Sequence, residues 1–474
     1  MQFCLTPRRG RVDSTAPPSA KPLLPAPPEA GEQYRFHFDM TKCIGCRCCE
    51  VACNEQNNNP AGVQWRRVGE IEGGWYPNTQ RLYLSMSCNH CLEPSCLLGC
   101  PVDAFRKDAG TGLVLHSAEA CIGCQYCIWN CPYCVPQYNE ERGVVGKCDM
   151  CYGRLAERQV PACASACPQQ AIEIETVNVA EWLNAYGAAN SPGMPSAHHT
   201  LSTTRITLPD EMPPMLHTPD TTRVRPEHPH MPLVVMLVLT QLSVGAFVAL
   251  WMLGPAGTVA TFASLAAGLL SLGASTLHLG RPVYAWRALK MWRRSWLSRE
   301  VLLLSCFAAA AGAYAFLGST ALGALTAAVG MMGVAASAFI YLVPARPAWN
   351  SGFTPAEFYS TAALLGPLFV ASIAGGTKVL TIAAVAGAAL QLLTLGLKLL
   401  WLIRSDEFEL RASAGLLSND LERLFLARAA LLVAGGIALP LMNRPVAALL
   451  LALAGELLGR YLFFVSVVPR KVAA

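Results

Sequence analysis

Charged side chains are scarce in this sequence of 474 residues, because Asp, Glu, Lys and Arg make up 14% of it while hydrophobic residues make up 53%. Soluble proteins average about 25% charged residues. The scarcity excludes an ordinary soluble protein and predicts a membrane-embedded part. Before Met231 there are 19 basic and 23 acidic residues, and after it 17 and 8. A basic excess among apolar segments is typical of membrane orientation, so no nucleic-acid partner is expected.

Cysteine and histidine are almost missing from the second half of the chain. Of the 20 cysteines only Cys306 follows Cys167, and of the nine histidines only His278 follows Met231. Leu, Ala, Gly and Val dominate that half instead. At least two domains of different chemistry are therefore required.

Periodic apolar residues are lacking over residues 1–33, which are rich in proline and alanine and predict a flexible tail. No apolar stretch follows Arg8 and Arg9, so the pair is interpreted as surface charge and not as a twin-arginine export signal. Residues 190–230 also hold repeated prolines without periodicity and predict an extended linker. Residues 34–189 contain cysteine groups separated by short strand-like segments and are predicted to form one domain.

Eight apolar stretches follow the predicted linker, and each has about the 20 residues that cross a bilayer. Small residues such as Gly268 and Gly273 recur in them and allow close helix packing. Because whole stretches are apolar on every face, a water-soluble bundle is excluded. The predicted stretches are 231–253, 256–279, 300–318, 321–343, 357–374, 378–403, 422–441 and 445–468.

Sixteen cysteines fall into four groups with the spacing of iron-sulfur ligands. The first and third groups follow the C-x2-C-x2-C-x3-C run of bacterial ferredoxins, in which the fourth thiolate binds the neighbouring cluster. The second and fourth groups keep the outer spacings with longer inner loops. Sixteen thiolates suffice for four [4Fe-4S] clusters. The predicted ligands are Cys43, Cys46, Cys49, Cys53, Cys88, Cys91, Cys96, Cys100, Cys121, Cys124, Cys127, Cys131, Cys148, Cys151, Cys163 and Cys167.

Two glycines within these groups, Gly45 and Gly123, tolerate the positive φ that wrapping backbone around a cluster requires. Structural zinc and a disulfide framework are the alternatives. Zinc would use paired C-x2-C motifs, but it does not explain four groups that each end in C-x3-C. Four cysteines fit no group and are interpreted as ordinary thiols: Cys4, Cys48, Cys134 and Cys306.

The region from residue 34 to about 190 resembles the four-cluster iron-sulfur subunits of molybdopterin oxidoreductases, especially that of dimethyl-sulfoxide reductase. The membrane half is similar to the anchor subunit of that enzyme. The resemblance implies a fusion of two subunits: an α+β ferredoxin-like four-cluster domain joined to an all-α eight-helix transmembrane bundle over 231–474. The anchor motifs are His278-Leu279-Gly280-Arg281-Pro282, Ser295-Trp296-Leu297-Ser298-Arg299-Glu300 and Gly455-Glu456-Leu457-Leu458-Gly459-Arg460.

The resemblance also implies which cysteines share a cluster, because group one pairs with group four and group two with group three. All four cysteines of group three are present, so four [4Fe-4S] clusters and no three-iron cluster are expected. The implied sets are Cys43, Cys46 and Cys49 with Cys167; Cys148, Cys151 and Cys163 with Cys53; Cys88, Cys91 and Cys96 with Cys131; and Cys121, Cys124 and Cys127 with Cys100, nearest the membrane.

The resemblance places His278 and Glu300 in a quinol site, and an imidazole there can exchange protons with a quinone. Some related anchors carry b-type haem between two histidines; a single histidine after Met231 means that no haem is expected. In the alternative interpretation, His278 caps a helix and Glu300 favours a helix N-terminus. Glu456 and Arg460 are predicted to pair across one helical turn, with a quinone or proton-path role as the alternative.

Eight crossings return the C-terminus to the side of the cluster domain. Loops and tail on that side hold 12 basic residues, whereas the opposite side holds only Lys378 and Arg444. This bias predicts a cytoplasmic cluster domain at the inner membrane. The best-known dimethyl-sulfoxide reductases have an exported catalytic face, so membrane-bound sulfite dehydrogenases of the same family, which oxidise cytoplasmic sulfite and reduce quinone, fit better.

The chain is therefore expected to be a subunit that relays electrons between a cytoplasmic molybdopterin catalytic subunit and the quinone pool, with sulfite oxidation as the best match. It shows no molybdopterin-binding domain, so the partner would carry out catalysis. The alternatives are a quinol-oxidising subunit of the dimethyl-sulfoxide reductase type, and a self-contained ferredoxin:quinone oxidoreductase or ion translocator.

Overall fold

A computed structural model describes residues 24–218, 224–253 and 257–470 of the chain. Cys4, the Arg8-Arg9 pair and most of the predicted tail lie outside these residues. The first strand begins at Glu32, two residues inside the predicted tail.

The described part of the N-terminal domain contains nine strands. β1 pairs antiparallel with β8 and parallel with β9, and the others form three antiparallel hairpins, β2–β3, β4–β5 and β6–β7. Alternate side chains of a strand face opposite sides, and β1 buries Tyr34, Phe36 and Phe38. The strands are β1 Glu32–Asp39, β2 Arg67–Trp75, β3 Asn78–Met86, β4 Phe105–Lys107, β5 Val114–His116, β6 Gln137–Asn139, β7 Val144–Gly146, β8 Ile172–Asn178 and β9 Arg205–Thr207.

The register of β1 and β8 brings the two ends of the cluster domain together. Phe38 lies opposite Ile172. Cys43 comes five residues after Phe38 and Cys167 comes five residues before Ile172. Because both connections leave the same end of the β1–β8 pair, the first and fourth cysteine groups meet there.

Six short α-helices follow in the described residues of this domain, and four of them carry cysteines of the predicted groups. The turns before two of these helices contain Gly45 and Gly123, both with a φ of 70°. The predicted positive φ at both glycines is confirmed. The helices are α1 Cys48–Asn57, α2 Ser95–Gly99, α3 Tyr126–Asn130, α4 Tyr152–Ala156, α5 Ala162–Ser165 and α6 Val179–Ala185.

The predicted linker over 190–230 is wrong for residues 190–218. Within this segment β9 pairs with β1, and His217 exchanges two backbone hydrogen bonds of 2.8 Å with Glu72 of β2. The Thr200 hydroxyl is buried and donates to Cys91 Sγ at 3.0 Å. The prolines prevent regular local structure, but the segment gains its order by packing against distant parts of the domain.

Among the residues that the structure describes, the C-terminal half contains eight helices long and apolar enough to cross a membrane, which agrees with the eight predicted stretches. A short helix, α13 Phe408–Gly415, lies between the sixth and seventh of them. The eight are α7 Met231–Leu253, α8 Thr258–Thr276, α9 Trp296–Leu317, α10 Thr320–Ile340, α11 Phe353–Ala374, α12 Lys378–Arg404, α14 Glu422–Leu441 and α15 Pro445–Val465.

The third cysteine group sits directly on the anchor helices. Trp129 of α3 lies in one buried apolar cluster with Tyr341 and Trp349, and its ring centroid is 5.6 Å from that of Trp349. The backbone N–H of Arg281 donates to the carbonyl of Ile122 at 3.1 Å. A Cβ on Gly123 would stand 2.9 Å from the backbone of Gly280, so only glycine allows this approach.

Candidate iron-sulfur and quinone sites

Sixteen cysteine side chains converge in four sets of four, numbered here from the surface toward the anchor. Members of each set line one small cavity or interact electrostatically with one another. The first quartet is Cys43, Cys46, Cys49 and Cys167. The second is Cys53, Cys148, Cys151 and Cys163. The third is Cys88, Cys91, Cys96 and Cys131. The fourth is Cys100, Cys121, Cys124 and Cys127.

The quartets follow one another in a row. Cys49 of the first quartet interacts electrostatically with Cys163 of the second. Cys148 of the second interacts with Cys88 of the third. Cys127 of the fourth interacts with Cys96 of the third. The row therefore runs from the end of the β1–β8 pair to the anchor helices.

The chemistry of the quartets fits a soft metal centre. Burial raises the pKa of Cys91 and of Cys96 to about 12, so these thiols stay protonated at neutral pH unless a bound cation stabilises the thiolate. Backbone N–H groups donate to the sulfurs, as those of Ala104 and Gly123 do to Cys100 at 3.3 Å and to Cys121 at 3.4 Å. Such bonds favour sulfur that carries negative charge.

Arg66 is a fully buried cation between the first and second quartets. Its guanidinium donates to Ser85 Oγ at 3.1 Å and to Ser87 Oγ at 2.9 Å, and stacks on Phe36 at 4.7 Å. It interacts electrostatically with thiols of both quartets. In the described part of the chain no carboxylate lies within ion-pair distance of Arg66. A centre of net negative charge in the two adjacent quartets would compensate this buried positive charge.

Lys147 repeats this arrangement between the second and third quartets. Its ammonium donates to Cys88 Sγ at 3.7 Å, to the carbonyl of Cys148 at 2.9 Å and to that of Val114. Among the residues described, it too has no carboxylate within ion-pair distance. Two buried cations facing cysteine sulfur fit centres that carry net negative charge.

His278 lies just after α8, on the side of the cluster domain. Its Nδ1 is buried without a hydrogen-bond partner among the described residues, and burial lowers the pKa of the ring to about 4. The imidazole is therefore neutral at pH 7. It interacts electrostatically with His230, whose ring packs edge-on against Trp129 at 5.2 Å.

Glu300 lies in the second turn of α9 and is buried. Burial and the nearby Glu300 carboxylate together raise the pKa of Tyr126, a neighbour of Cys127 in α3. Neither a hydrogen bond nor an ion pair joins Glu300 to His278 in the described ranges. Both residues nevertheless lie on the anchor side of the fourth quartet.

Two known protein families match the two halves of the chain, one family for each half. The family described as the DMSO reductase anchor subunit matches residues 226–465, about half of the chain. The chain belongs to this family. The family described as the 4Fe-4S dicluster domain matches residues 79–177. The chain is therefore an iron-sulfur protein and a multi-pass membrane protein, and the predicted fusion of two subunits is confirmed.

Several relatives resemble the iron-sulfur half of this fused anchor subunit. One chain of the anaerobic dimethyl sulfoxide reductase of Haemophilus influenzae is 40% identical over 169 residues, which cover 34% of the present sequence and 81% of that protein. The formate dehydrogenase iron-sulfur subunit of Wolinella succinogenes is 36% identical, covering 30% and 82%. A sulfite dehydrogenase subunit of Allochromatium vinosum is 34% identical, covering 29% and 67%.

The predicted pairing of Glu456 with Arg460 within the anchor is wrong. No ion pair joins them in the part of the chain that the structure describes. Glu456 Oε2 accepts a hydrogen bond from Thr361 at 2.7 Å, and Arg460 Nη2 donates to Gln241 Oε1 at 2.9 Å. Each side chain finds its partner on a neighbouring helix because the close-packed bundle brings those helices nearer than the next turn of α15.

The sequence analysis did not predict that Arg66 and Lys147 are buried between cysteine quartets. It also did not predict the buried ion pair formed by Glu357 and Lys398. The pair is separated by 3.2 Å and joins α11 to α12. Glu357 and Lys398 both lie inside apolar stretches. A charged residue in such a stretch is itself a sign of a buried role, so the sequence did contain a signal for this pair. Arg66 and Lys147 had no comparable signal, because basic residues beside cysteines are common at exposed surfaces.

Proposed function

We propose that this chain relays electrons between a molybdopterin-containing catalytic subunit and the membrane quinone pool through four [4Fe-4S] clusters held by the four quartets. The observation that carries the proposal is the continuous row of quartets, which begins at the protein surface and ends against the anchor helices. Each cluster would supply one-electron chemistry. The chain's own residues fix the order of the centres and bury most of the cysteines of the inner three quartets.

The surface end of the row is suited to receive a partner. Cys46 of the first quartet is exposed, and Ile44 and Val51 beside it are 56% and 61% exposed. An apolar patch next to a redox centre fits a docked catalytic subunit. The relatives named above are themselves subunits of a dimethyl sulfoxide reductase, a formate dehydrogenase and a sulfite dehydrogenase.

The anchor end of the row is suited to exchange electrons with quinone. His278 and Glu300 lie beside α3, which carries Cys127. A neutral His278 can donate a hydrogen bond to a quinone oxygen, while Glu300 can take or give a proton. Electrons would pass directly between the fourth quartet's cluster and quinone, without haem.

The cluster domain is proposed to face the cytoplasm at the inner membrane, as the basic residues on that side support. A reporter domain fused to the C-terminus tests this orientation. Alkaline phosphatase is expected to be inactive there and a cytoplasmic fluorescent protein to fold. An active phosphatase fusion would place the clusters on the opposite side.

Sulfite is the substrate we propose for the partner, because a cytoplasmic cluster domain fits a sulfite dehydrogenase. The dimethyl sulfoxide reductase type is the second candidate, since the relative with that name shares 40% identity against 34% for the sulfite dehydrogenase subunit. Purification of the complex and assay with each substrate separates the two. A chain that is active without any large subunit would instead favour a ferredoxin:quinone oxidoreductase.

The relay itself is tested in isolated membranes by electron paramagnetic resonance. Added quinol is expected to reduce at least the cluster nearest the anchor. The variant His278→Ala should slow this reduction, while chemical reduction by dithionite stays unchanged. Clusters that quinol never reduces, although dithionite does, would contradict the relay.

A further inference from the structure

The loop between α8 and α9 holds the highest density of positive charge in the anchor. It covers residues 277–295, on the side of the cluster domain, and contains a 3-10 helix over Pro282–Leu289. Five basic residues lie in the loop, a sixth lies near the start of α9, and residues 277–299 contain no acidic residue. These six are half of the 12 basic residues on that side of the membrane. They are Arg281, Arg287, Lys290, Arg293, Arg294 and Arg299.

A second loop on the cluster side shows that membrane orientation does not require such an excess. Residues 404–423, from the end of α12 to the start of α14, hold three arginines and five acidic residues. Orientation depends on the number of Lys and Arg residues near the helix ends, and acidic residues contribute little to it. The uncompensated charge of the α8–α9 loop therefore needs a further explanation.

Ion pairs within the chain compensate little of this charge. In the part of the chain that the structure describes, the one carboxylate within ion-pair distance of the six residues is that of Asp103, in the cluster domain. Its oxygens lie 3.3 Å from Arg294 Nη2 and 3.7 Å from Lys290 Nζ. Two of the other arginines donate to main-chain carbonyls of the cluster domain, which carry no net charge. Six cations against one carboxylate leave five positive charges uncompensated.

Large apolar side chains project from the same loop. Val283 is 81% exposed and Trp286 is 69% exposed. Three more large apolar residues of the loop are exposed: Tyr284, Leu289 and Trp292. Trp and Tyr are enriched where a bilayer meets water, because each combines an apolar ring with a polar group. The loop joins two membrane-spanning helices, so its exposed rings lie at this boundary.

Contacts between cations and rings place the basic and apolar groups on one surface. The Arg287 guanidinium lies 4.1 Å from the ring centroid of Tyr284 and 5.7 Å from that of Trp286. The Arg293 guanidinium lies 5.3 Å from the ring centroid of Trp292. A guanidinium stacked on a ring still presents N–H groups in its own plane, and these match the geometry of a phosphate. The loop therefore offers anion donors beside an apolar surface.

The loop is packed against the cluster domain beside the fourth quartet. Ala288 is buried in one apolar cluster with Cys100 and Cys121 of that quartet. The Ser295 hydroxyl donates to the carbonyl of Gly99 at 2.6 Å. A surface that is already held in place binds a ligand at a lower entropic cost than a flexible tail does.

We propose that the α8–α9 loop binds an anionic phospholipid, with the phosphate at its basic residues and the acyl chains against its exposed apolar residues. Arg287, Lys290 and Arg293 are the donors that face the headgroup. The positive charge favours an anionic headgroup over a zwitterionic one. The apolar residues favour a lipid over free phosphate, because inorganic phosphate gains nothing from contact with them.

The lipid site goes beyond the proposed function and does not depend on it. His278 lies at the start of the loop and Glu300 follows it closely in α9, so a bound lipid would hold together the segment that carries both proposed quinone residues. Lipid binding itself needs neither quinone nor a redox reaction. The test therefore measures binding alone, and failure of quinol reduction would affect only the proposed function.

Native mass spectrometry of the complete complex in a non-ionic detergent tests the site. Phosphatidylglycerol and phosphatidylcholine with the same acyl chains are added in separate titrations, and bound lipid is counted at each concentration. We expect phosphatidylglycerol to bind at least about tenfold more tightly than phosphatidylcholine. An excess of inorganic phosphate should not displace it.

A triple variant locates the bound lipid. Each basic residue near an anionic headgroup contributes about fivefold to binding, so removal of three charges should abolish most of the preference for phosphatidylglycerol. The control removes three arginines from the second cluster-side loop, where acidic residues surround them, and should keep the preference. The variant is Arg287→Gln, Lys290→Gln and Arg293→Gln in one chain, and the control is Arg404→Gln, Arg411→Gln and Arg423→Gln.

A single variant keeps the test decisive if the triple variant does not assemble. The Arg293 guanidinium makes no hydrogen bond or ion pair within the described residues, so Arg293→Gln should leave the fold intact and weaken phosphatidylglycerol binding about fivefold. Equal affinity of the wild type for the two lipids, displacement by inorganic phosphate, or equal losses in the variants and the control would overturn the inference.

Discussion

We expect the buried cations between quartets to affect how readily the proposed clusters accept electrons. Lys147 lies between the second and third quartets, with cysteine sulfur and carbonyl oxygens as its neighbours. A fixed positive charge stabilises the reduced, more negative state of a cluster. At an effective dielectric constant of 20 and a separation of roughly 6 Å, one charge pair is worth about 3 kcal/mol.

Replacing Lys147 by a neutral residue should therefore lower the reduction potential of an adjacent cluster. Lys147→Met is expected to decrease the midpoint potential of an adjacent cluster by on the order of 100 mV. Lys147→Arg keeps the charge and should stay near the wild-type value. Redox titration followed by electron paramagnetic resonance measures both. Equal potentials in all three proteins would show that Lys147 does not face a redox centre.

A second prediction at the scale of residues concerns Cys53, which contributes to a quartet formed mainly by another cysteine group. Cys53 belongs to the first group in sequence but lies in the second quartet, with Cys148, Cys151 and Cys163. Cys53→Ser should remove or convert one cluster and leave the first quartet's cluster intact. Cys48→Ser, at an exposed cysteine outside every quartet, should change neither iron content nor spectrum. Loss of the first quartet's signal in Cys53→Ser would contradict this assignment.

At the scale of elements, the contact between the cluster domain and the anchor depends on three glycines. Gly123 has a positive φ, and an added Cβ would overlap the carbonyl oxygen of Gly143 and stand 2.9 Å from Gly280. Backbone in both places leaves no room for a methyl group. The turn that carries Cys121 and Cys124 therefore docks on the anchor only with glycine at this position.

Gly123→Ala should weaken that docking. Left-handed backbone at a residue other than glycine costs about 1 to 3 kcal/mol, and the steric contact adds to this cost. We expect slower quinol-dependent cluster reduction and a lower melting temperature. Gly153→Ala, where nothing lies within 4 Å of an added Cβ, is the matched control. Equal reduction rates in both variants would exclude a role for this contact.

Apolar composition predicted the membrane helices well because each helix is defined by its local sequence. Both bounds of α7 and of α14 agree with the predicted stretches 231–253 and 422–441, and the other spans differ by at most four residues at either end. The linker prediction failed for 190–218 because β9 is held by pairing with β1, more than 160 residues away. The Glu456–Arg460 pairing failed for a similar reason, since partners on adjacent helices leave no local signal.

At the scale of the whole molecule, cysteine spacing predicted sixteen residues that the structure assembles into four quartets. Spacing could not predict the buried cations between them, because their positions follow from the packing of β2, β3 and the loop before Cys148. The quartets form one row from an exposed edge to a lipid-embedded bundle. Fusion in a single chain fixes the anchor end of that row without a subunit interface.

The metal content of the complete chain tests this account most directly. Four clusters of four irons predict sixteen iron atoms and sixteen acid-labile sulfides per chain in protein purified without oxygen. Chemical analysis, with zinc measured in the same sample, gives both numbers. About sixteen of each with negligible zinc is the result that the row of quartets predicts, whereas far fewer irons with zinc in their place would contradict it.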